Sequence, residues 1–247
     1  MTRPGPAVKV ALFRAQDDAA LSGARLRKLG FRAVWAPVIE IAPVRVEISR
    51  KLYDAVIASS PRAFAGGAIA EAASPLYVVG ARTARAAEAV GWRPAAPPAA
   101  SASQLVEILR RDLPKGANVL YLAGRDRKPT LEAALRERCA LEIVEVYAAE
   151  ARLSWRTPEI RALASCDAAL HYSPRSAALA VRLAGSSGLT QRFLELRHVC
   201  LSRDVAEPLR VIHAPSVFVA ERPDEPALFA ALRSAVAVFP SDGASRI

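Results

Sequence analysis

Cysteine, histidine, aromatic residues and long apolar runs are all scarce in this chain. Its three cysteines, Cys139, Cys166 and Cys200, are odd in number and form no C-x-x-C pair. With that number and spacing they are read as reduced thiols. Cys166 and Cys200 are expected near strand starts, as small core residues. The histidines, His171, His198 and His213, are isolated along the sequence, without H-E-x-x-H or any other ligand spacing, so no metal site is expected. G-x-S-x-G, G-x-G-x-x-G and G-x-x-x-x-G-K-[ST] are missing too, which removes the usual signatures of a serine hydrolase and of nucleotide binding. The pair Gly66-Gly67 falls in an Ala-rich stretch and reads as close packing inside a helix. Near the termini the longest apolar run, Ala235 to Phe239, has five residues, far short of a membrane span. Residues 1–6 carry an Arg and two Pro with no apolar segment behind them, so no signal peptide is expected. A cytoplasmic protein with no membrane partner follows.

What the chain does have is bulk, positive charge and internal order. Its 247 residues are 52% hydrophobic, enough for one large domain or two ordinary ones. Lysine and arginine exceed aspartate and glutamate by 34 to 24, a net charge of +10 that attracts anionic partners. The cations are spread along the chain and aromatics make up only 6%, so the basic stripe with interleaved aromatics of a nucleic-acid binder is not present. An acidic membrane surface and a polycarboxylate or phosphate ligand also fit the charge.

The internal order is a repeat in the pattern A-B-A′-B′. Residues 9–41 read strand, loop, helix, strand (VALF, a helix ending at Leu29-Gly30, then AVWAPVIEI). Residues 118–149 read the same way (VLYL, TLEAALRER, LEIVEVYAA). The second pair aligns YDAVIASSPR (53–62) with CDAALHYSPR (166–175). Each member then runs into an Ala-rich helix, an apolar strand (LYVVG; HVCLS) and another helix. Ser60 and Ser173 precede prolines as N-caps do. Gly30 and Gly91 sit where a helix ends on a left-handed residue. Ser101 through Gln104 suit a capping box, with Ser103 an alternative cap. Asp17-Asp18 open a helix with the right sign for its dipole. Short Val-rich strands alternating with helices predict α/β architecture with parallel sheets. Two topologies fit the repeat: consecutive domains, or a B-A′ domain nested inside one completed from A and B′. The extended segments 36–44 and 144–152 favour nesting, as a two-strand bridge.

In open α/β sheets ligands bind beyond the carboxyl ends of the strands. Those ends carry Arg14, Ser59, Ser60, Gly80, Gly124-Arg125-Asp126-Arg127, Ser173 and Ser202. Each supplies a hydroxyl, a guanidinium or a helix-initiating amide, all suited to anions. Any one of the serines is as easily a plain helix cap.

The runs VIASSPRA (56–63), LYVVGARTARAAEAVGW (76–92), ASASQLVEIL (100–109), VLYLAGRDRKPTLEAAL (119–135) and VEVYAAEA (144–151) resemble the successive blocks of uroporphyrinogen-III synthases. Order and spacing are kept over about residues 8–233. The resemblance implies two flavodoxin-like parallel-sheet domains, the first discontinuous (1–37 and 152–247, with a tail after about 234), the second inserted (42–147). They would be joined by linker strands at about 36–44 and 144–152, with the active site in the cleft between the domains. It implies a cofactor-independent hydro-lyase, expected as a monomer. Such an enzyme closes hydroxymethylbilane, with its eight carboxylates, to uroporphyrinogen III with loss of water and inversion of ring D. Tyr147 matches the family tyrosine thought to assist departure of the hydroxyl. Thr83 matches a threonine thought to bind a substrate carboxylate, together with Ser103, Arg125, Arg127 and the other strand-end groups as substrate-binding candidates. Val205 stands where a second threonine belongs, which puts a symmetric clamp in doubt. The alternative is a non-catalytic two-lobed relative that binds a tetrapyrrole or another anion; retention of Tyr147 speaks against it.

Overall fold

The computed structural model describes residues 7–46, 52–66, 74–127 and 129–237. The chain divides into two compact units: Met1–Glu40 with Ala151–Ile247, and Ile41–Glu150. It therefore leaves the first unit once and returns to it.

The first unit contains strands β1 (Lys9–Leu12), β2 (Arg32–Trp35), β8 (Ala168–His171), β9 (Arg197–Cys200) and β10 (Val217–Val219) in the order β10-β9-β8-β1-β2. All of these neighbours pair in parallel. Alternation along the strands sends Val10, Leu12, Ala168, Leu170 and Val199 to one face, where helices α1 (Gln16–Lys28) and α9 (Glu225–Ala237) cover them. Ala11, Phe13, Ala169 and Cys200 face the other way, under α5 (Thr157–Leu163), α6 (Pro174–Ser186), α7 (Thr190–Leu194) and α8 (Arg203–Val211). Each fully buried leucine contributes on the order of 2 kcal/mol. Burial on both faces is why these strands are short apolar runs without polar alternation.

Strands β3 (Ile39–Pro43), β4 (Ala55–Ala58), β5 (Leu76–Val78), β6 (Asn118–Gly124) and β7 (Ala140–Ala151) form the second sheet, in the order β3-β7-β6-β4-β5, all of it within the second unit except Ile39, Glu40 and Ala151. The four strands β5, β4, β6 and β7 pair in parallel. One face packs against the 3-10 turn Pro61–Phe64 and α2 (Ala81–Glu88), the other against α3 (Ala102–Asp112) and α4 (Pro129–Arg136). Beside β5, residues 94–99 make two parallel bridges, Leu76 with Pro94 and Val79 with Ala99. They stand where β10 stands in the other sheet, so the repeat extends one strand further than its sequence pattern. Backbone bonds Val44 N to Val146 O (2.9 Å) and Arg152 N to Val38 O (3.0 Å) run in opposite chain directions, so β3 and β7 are antiparallel.

The chain is thus α/β with parallel sheets. Several local features differ from expectation. The helix after Ser60 is four residues of 3-10 geometry, and Gly66 lies in a turn after it instead of inside a helix; Gly67 is outside the described residues. Cys200 closes β9 and does not lie near its start. His171 and His198 are not isolated: both are fully buried, and adjacent strands bring their rings to 3.0 Å, Nε2 to Nδ1. The tail residues Pro240, Ser241, Gly243 and Ser245 lie outside the described residues.

Candidate active site

The strand-end residues are divided between the units. Arg14, Ser173 and Ser202 belong to the first; Ser59, Ser60, Gly80, Thr83, Ser103, Arg125, Arg127 and Tyr147 belong to the second.

In the first unit the sheet order reverses direction between β1 and β8, and Arg14 follows β1 there. Its guanidinium lies over the Tyr172 ring (4.0 Å to the centroid) and donates to Ser22 Oγ at 2.9 Å. Ser22 and Tyr172 in turn donate to Glu225 Oε1 at 2.6 and 2.9 Å, and Arg25 pairs with its other oxygen. Burial pushes the Glu225 carboxyl up, but the Ser22, Arg25 and Tyr172 donors outweigh it and hold it below the usual range. An internal carboxylate thus occupies the donors that an incoming anion would use. Ser173 caps α6, accepting from Ser176 N at 3.1 Å. Ser202 begins α8 with its hydroxyl turned to Asp204, and it borders a cleft of about 410 Å³ with Arg203, Val219 and Glu221.

Thr83 and Val205 occupy equivalent places, the third residue of α2 and of α8, and both are 2% exposed. Gly80 precedes α2 with φ of 83° and donates its amide to Ala99 O. A positive φ explains glycine there, since a side chain would be strained. Ser60 caps the 3-10 turn through Arg62 N (3.3 Å). Ser101 is the true cap of α3, accepting from Gln104 N at 3.2 Å, while Ser103 is exposed in the first turn.

The second unit gathers more. At the carboxyl end of β4, Ser59 Oγ meets Tyr121 Oη at 2.7 Å. Burial raises the Tyr121 phenol; the Ser59 hydrogen bond opposes the shift and the neighbouring Tyr147 adds to it. Tyr147 comes from β7 and is half-buried against the apolar face shared by Leu122 and Val146. Its hydroxyl has no hydrogen-bond partner among the described residues. Its ring lies on Gly124: a Cβ placed there would be 2.5 Å from Cζ and 2.7 Å from the hydroxyl oxygen. Arg127 underpins the loop after β6, donating to Glu145 at 2.9 Å, to Glu132 at 3.2 Å and to Gly124 O at 3.0 Å. These bonds tie up its guanidinium. They also keep the Glu145 carboxyl below its ordinary range, Arg127 being the main cause. Arg125 touches Glu145 at 3.3 Å but remains 55% exposed, open to a second anion.

Tyr121 is invisible as a site residue in the sequence, because a tyrosine inside VLYLAG reads as core. Its partner Ser59 is 62 positions away. Among the described residues no group of three or more His, Cys, Asp or Glu could hold a metal ion.

A family model for uroporphyrinogen-III synthase HemD matches residues 21–230. The chain belongs to the uroporphyrinogen-III synthase family. It is an enzyme of that class, a lyase of porphyrin biosynthesis that acts on a small-molecule tetrapyrrole. Among solved structures, the uroporphyrinogen-III synthetase of Helicobacter pylori is similar over 94% of this chain and 100% of its own, with 15% identity and a TM-score of 0.57. That likeness concerns the fold. A mutant uroporphyrinogen III synthase of Thermus thermophilus matches over 94% and 100% of the two chains, at 20% identity and a TM-score of 0.47. The wild-type form matches over 94% and 99%, at 21% and 0.41. No curated protein matches the sequence significantly.

Proposed function

We propose that this synthase closes hydroxymethylbilane with Tyr147 as the group that assists loss of the hydroxyl. The observation that carries the reading is the Tyr147 phenol, unpartnered among the described residues, at the carboxyl edge of the second unit's sheet. The phenol gives its proton to the departing hydroxyl oxygen as the C–O bond breaks, water leaves, and the pyrrole N–H proton returns to the phenolate as the azafulvene forms. The azafulvene carbon so formed is attacked by the substituted carbon of ring D. The resulting spiro intermediate fragments and recloses with ring D inverted. The substrate closes unaided to the uninverted isomer, so the selectivity arises from holding one conformer. Ser59, Ser60, Gly80, Thr83, Ser103, Arg125, Arg127, Arg14, Ser173 and Ser202 are the proposed carboxylate contacts. Arg125 is the best placed of the three arginines because it is the most exposed of them; Arg14, Arg127 and the Gly80 amide would have to exchange partners.

The two units are proposed to be flavodoxin-like domains, with 42–147 inserted into a domain made of 1–37 and 152–247 and linked through 36–44 and 144–152. Support comes from the first sheet, whose strands follow the order 2-1-3-4-5 when numbered within the unit. A cytoplasmic monomer is the expected state. No helix among the described residues is long and apolar enough to cross a membrane.

Removing one oxygen tests the role of Tyr147. Tyr147→Phe should lower type III formation about 10²-fold, with an unchanged unfolding midpoint and type III still the product of the residual activity. Wild-type turnover would make Tyr147 a packing residue.

A further inference from the structure

Strand β7 breaks its own alternation next to the candidate catalytic tyrosine. Leu141 and Ile143 pack on the face covered by α3 and α4, whereas Val144 and Val146 pack on the opposite face. Continued alternation would return Tyr147 to the first face. Instead Tyr147 joins Val144 and Val146 in the second cluster, beside Leu122. The cause is visible in the pairing with β6. Leu122 faces Val144 and Ala123 faces Glu145, but Gly124 faces Tyr147, so the register slips by one residue between Ala123 and Gly124. Bulges of this kind are rare between parallel strands, and they re-aim a side chain.

The slip places the ring directly over Gly124. A Cβ at 124 would be 2.5, 2.6 and 2.7 Å from Cζ, Cε2 and the hydroxyl oxygen of Tyr147, distances no real Cβ keeps. Gly124 does not belong to the positive-φ glycines, so its backbone conformation does not itself call for glycine. What demands glycine is the tyrosine. The arrangement is pinned from the other side by Arg125 N donating to Tyr147 O at 2.9 Å and by Arg127 Nη1 donating to Gly124 O at 3.0 Å.

We propose that Gly124 and the register slip opposite it form a positioning device that aims the Tyr147 hydroxyl at the substrate's leaving group. Gly124 is a positioning residue, and the proposal rests on the catalytic reading of Tyr147. An added methyl group displaces the phenol by about an ångström, and displacements of that size cost up to about 10²-fold in rate.

The test is a double-mutant cycle on the full chain, read as type III formation from hydroxymethylbilane and as urea unfolding midpoints. Gly124→Ala alone should lower kcat about tenfold or more while KM changes less than about twofold, and it should lower the midpoint. In a Tyr147→Ala background there is no ring to displace, so adding Gly124→Ala should change neither rate nor midpoint. A general packing role would lower both in either background, and equal losses in the two backgrounds overturn the proposal. So does wild-type turnover of Gly124→Ala alongside a slow Tyr147→Phe, which leaves the catalytic reading intact. If Tyr147→Phe itself turns over at the wild-type rate, the catalytic reading fails and takes the positioning role with it.

Discussion

Thr83 and Val205 differ only in one hydroxyl against one methyl. They sit third in equivalent helices of the two units, equally buried, so the same local backbone accepts a hydroxyl in one and a methyl in the other. Thr83→Val should therefore leave stability nearly unchanged. If the hydroxyl serves a substrate carboxylate, KM should rise about tenfold, because a hydrogen bond to a charged group is worth about 1.5–3 kcal/mol. An unchanged KM would assign Thr83 to packing alone. Serine caps are the other legible residues: Ser60 and Ser173 were readable because a cap, a proline and a helix are adjacent in sequence. Ser59 with Tyr121, and Tyr147 over Gly124, were not. Each depends on neighbouring strands whose register no local pattern records.

Among the elements, the two histidine-bearing strands carry the clearest pH dependence. His171 on β8 faces Cys200 on β9, and His198 lies two residues earlier on the same side, so the rings meet diagonally. His198 Nε2 is 2.9 Å from Phe193 O, a pure acceptor, so that nitrogen bears the proton. His198 Nδ1 then accepts from His171 Nε2, and both rings are neutral. Burial, partly offset by the Phe193 carbonyl, lowers the His198 pKa to about 4; burial and then the neighbouring His198 lower His171 well below 6.5. Unfolded histidines titrate near 6.5, so between about pH 6.5 and 4 the unfolded chain takes up protons first. Stability is then full above about pH 6.5 and falls as pH falls through that window, by about 2 kcal/mol at pH 5 from His198 alone. Urea unfolding at pH 7.5 and 5.0 measures this. The double variant His171→Leu, His198→Leu should flatten the slope, and an equally steep wild-type and variant profile would place its origin elsewhere. In sequence the two residues are 27 apart. The short strands were legible from their apolar runs, yet which histidine faces which is a property of the pairing.

On the scale of the whole molecule the repeat was the most informative feature, because it implied equivalent strands and helices in two places before any pairing was known. One further position beside β5, the fifth of the parallel part of the second sheet, has no sequence signal: residues 94–99 make only two bridges and contain Pro94, Pro97 and Pro98, which hide it. Net charge of +10 fits a substrate with eight carboxylates, and many of the arginines are engaged by the chain's own acids. We expect recognition of the substrate to be shared among hydroxyls, helix-initiating amides and exposed cations such as Arg125. We propose that orientation of a reactive substrate, rather than strong acid–base catalysis, sets the isomer formed. The most direct measurement supplies hydroxymethylbilane to the chelator-treated protein and determines which uroporphyrinogen isomer forms, and how fast. The expected result is type III, formed at an undiminished rate. Type I at the rate of the unaided reaction would contradict it and mark the protein as a binder that kept the fold without the reaction.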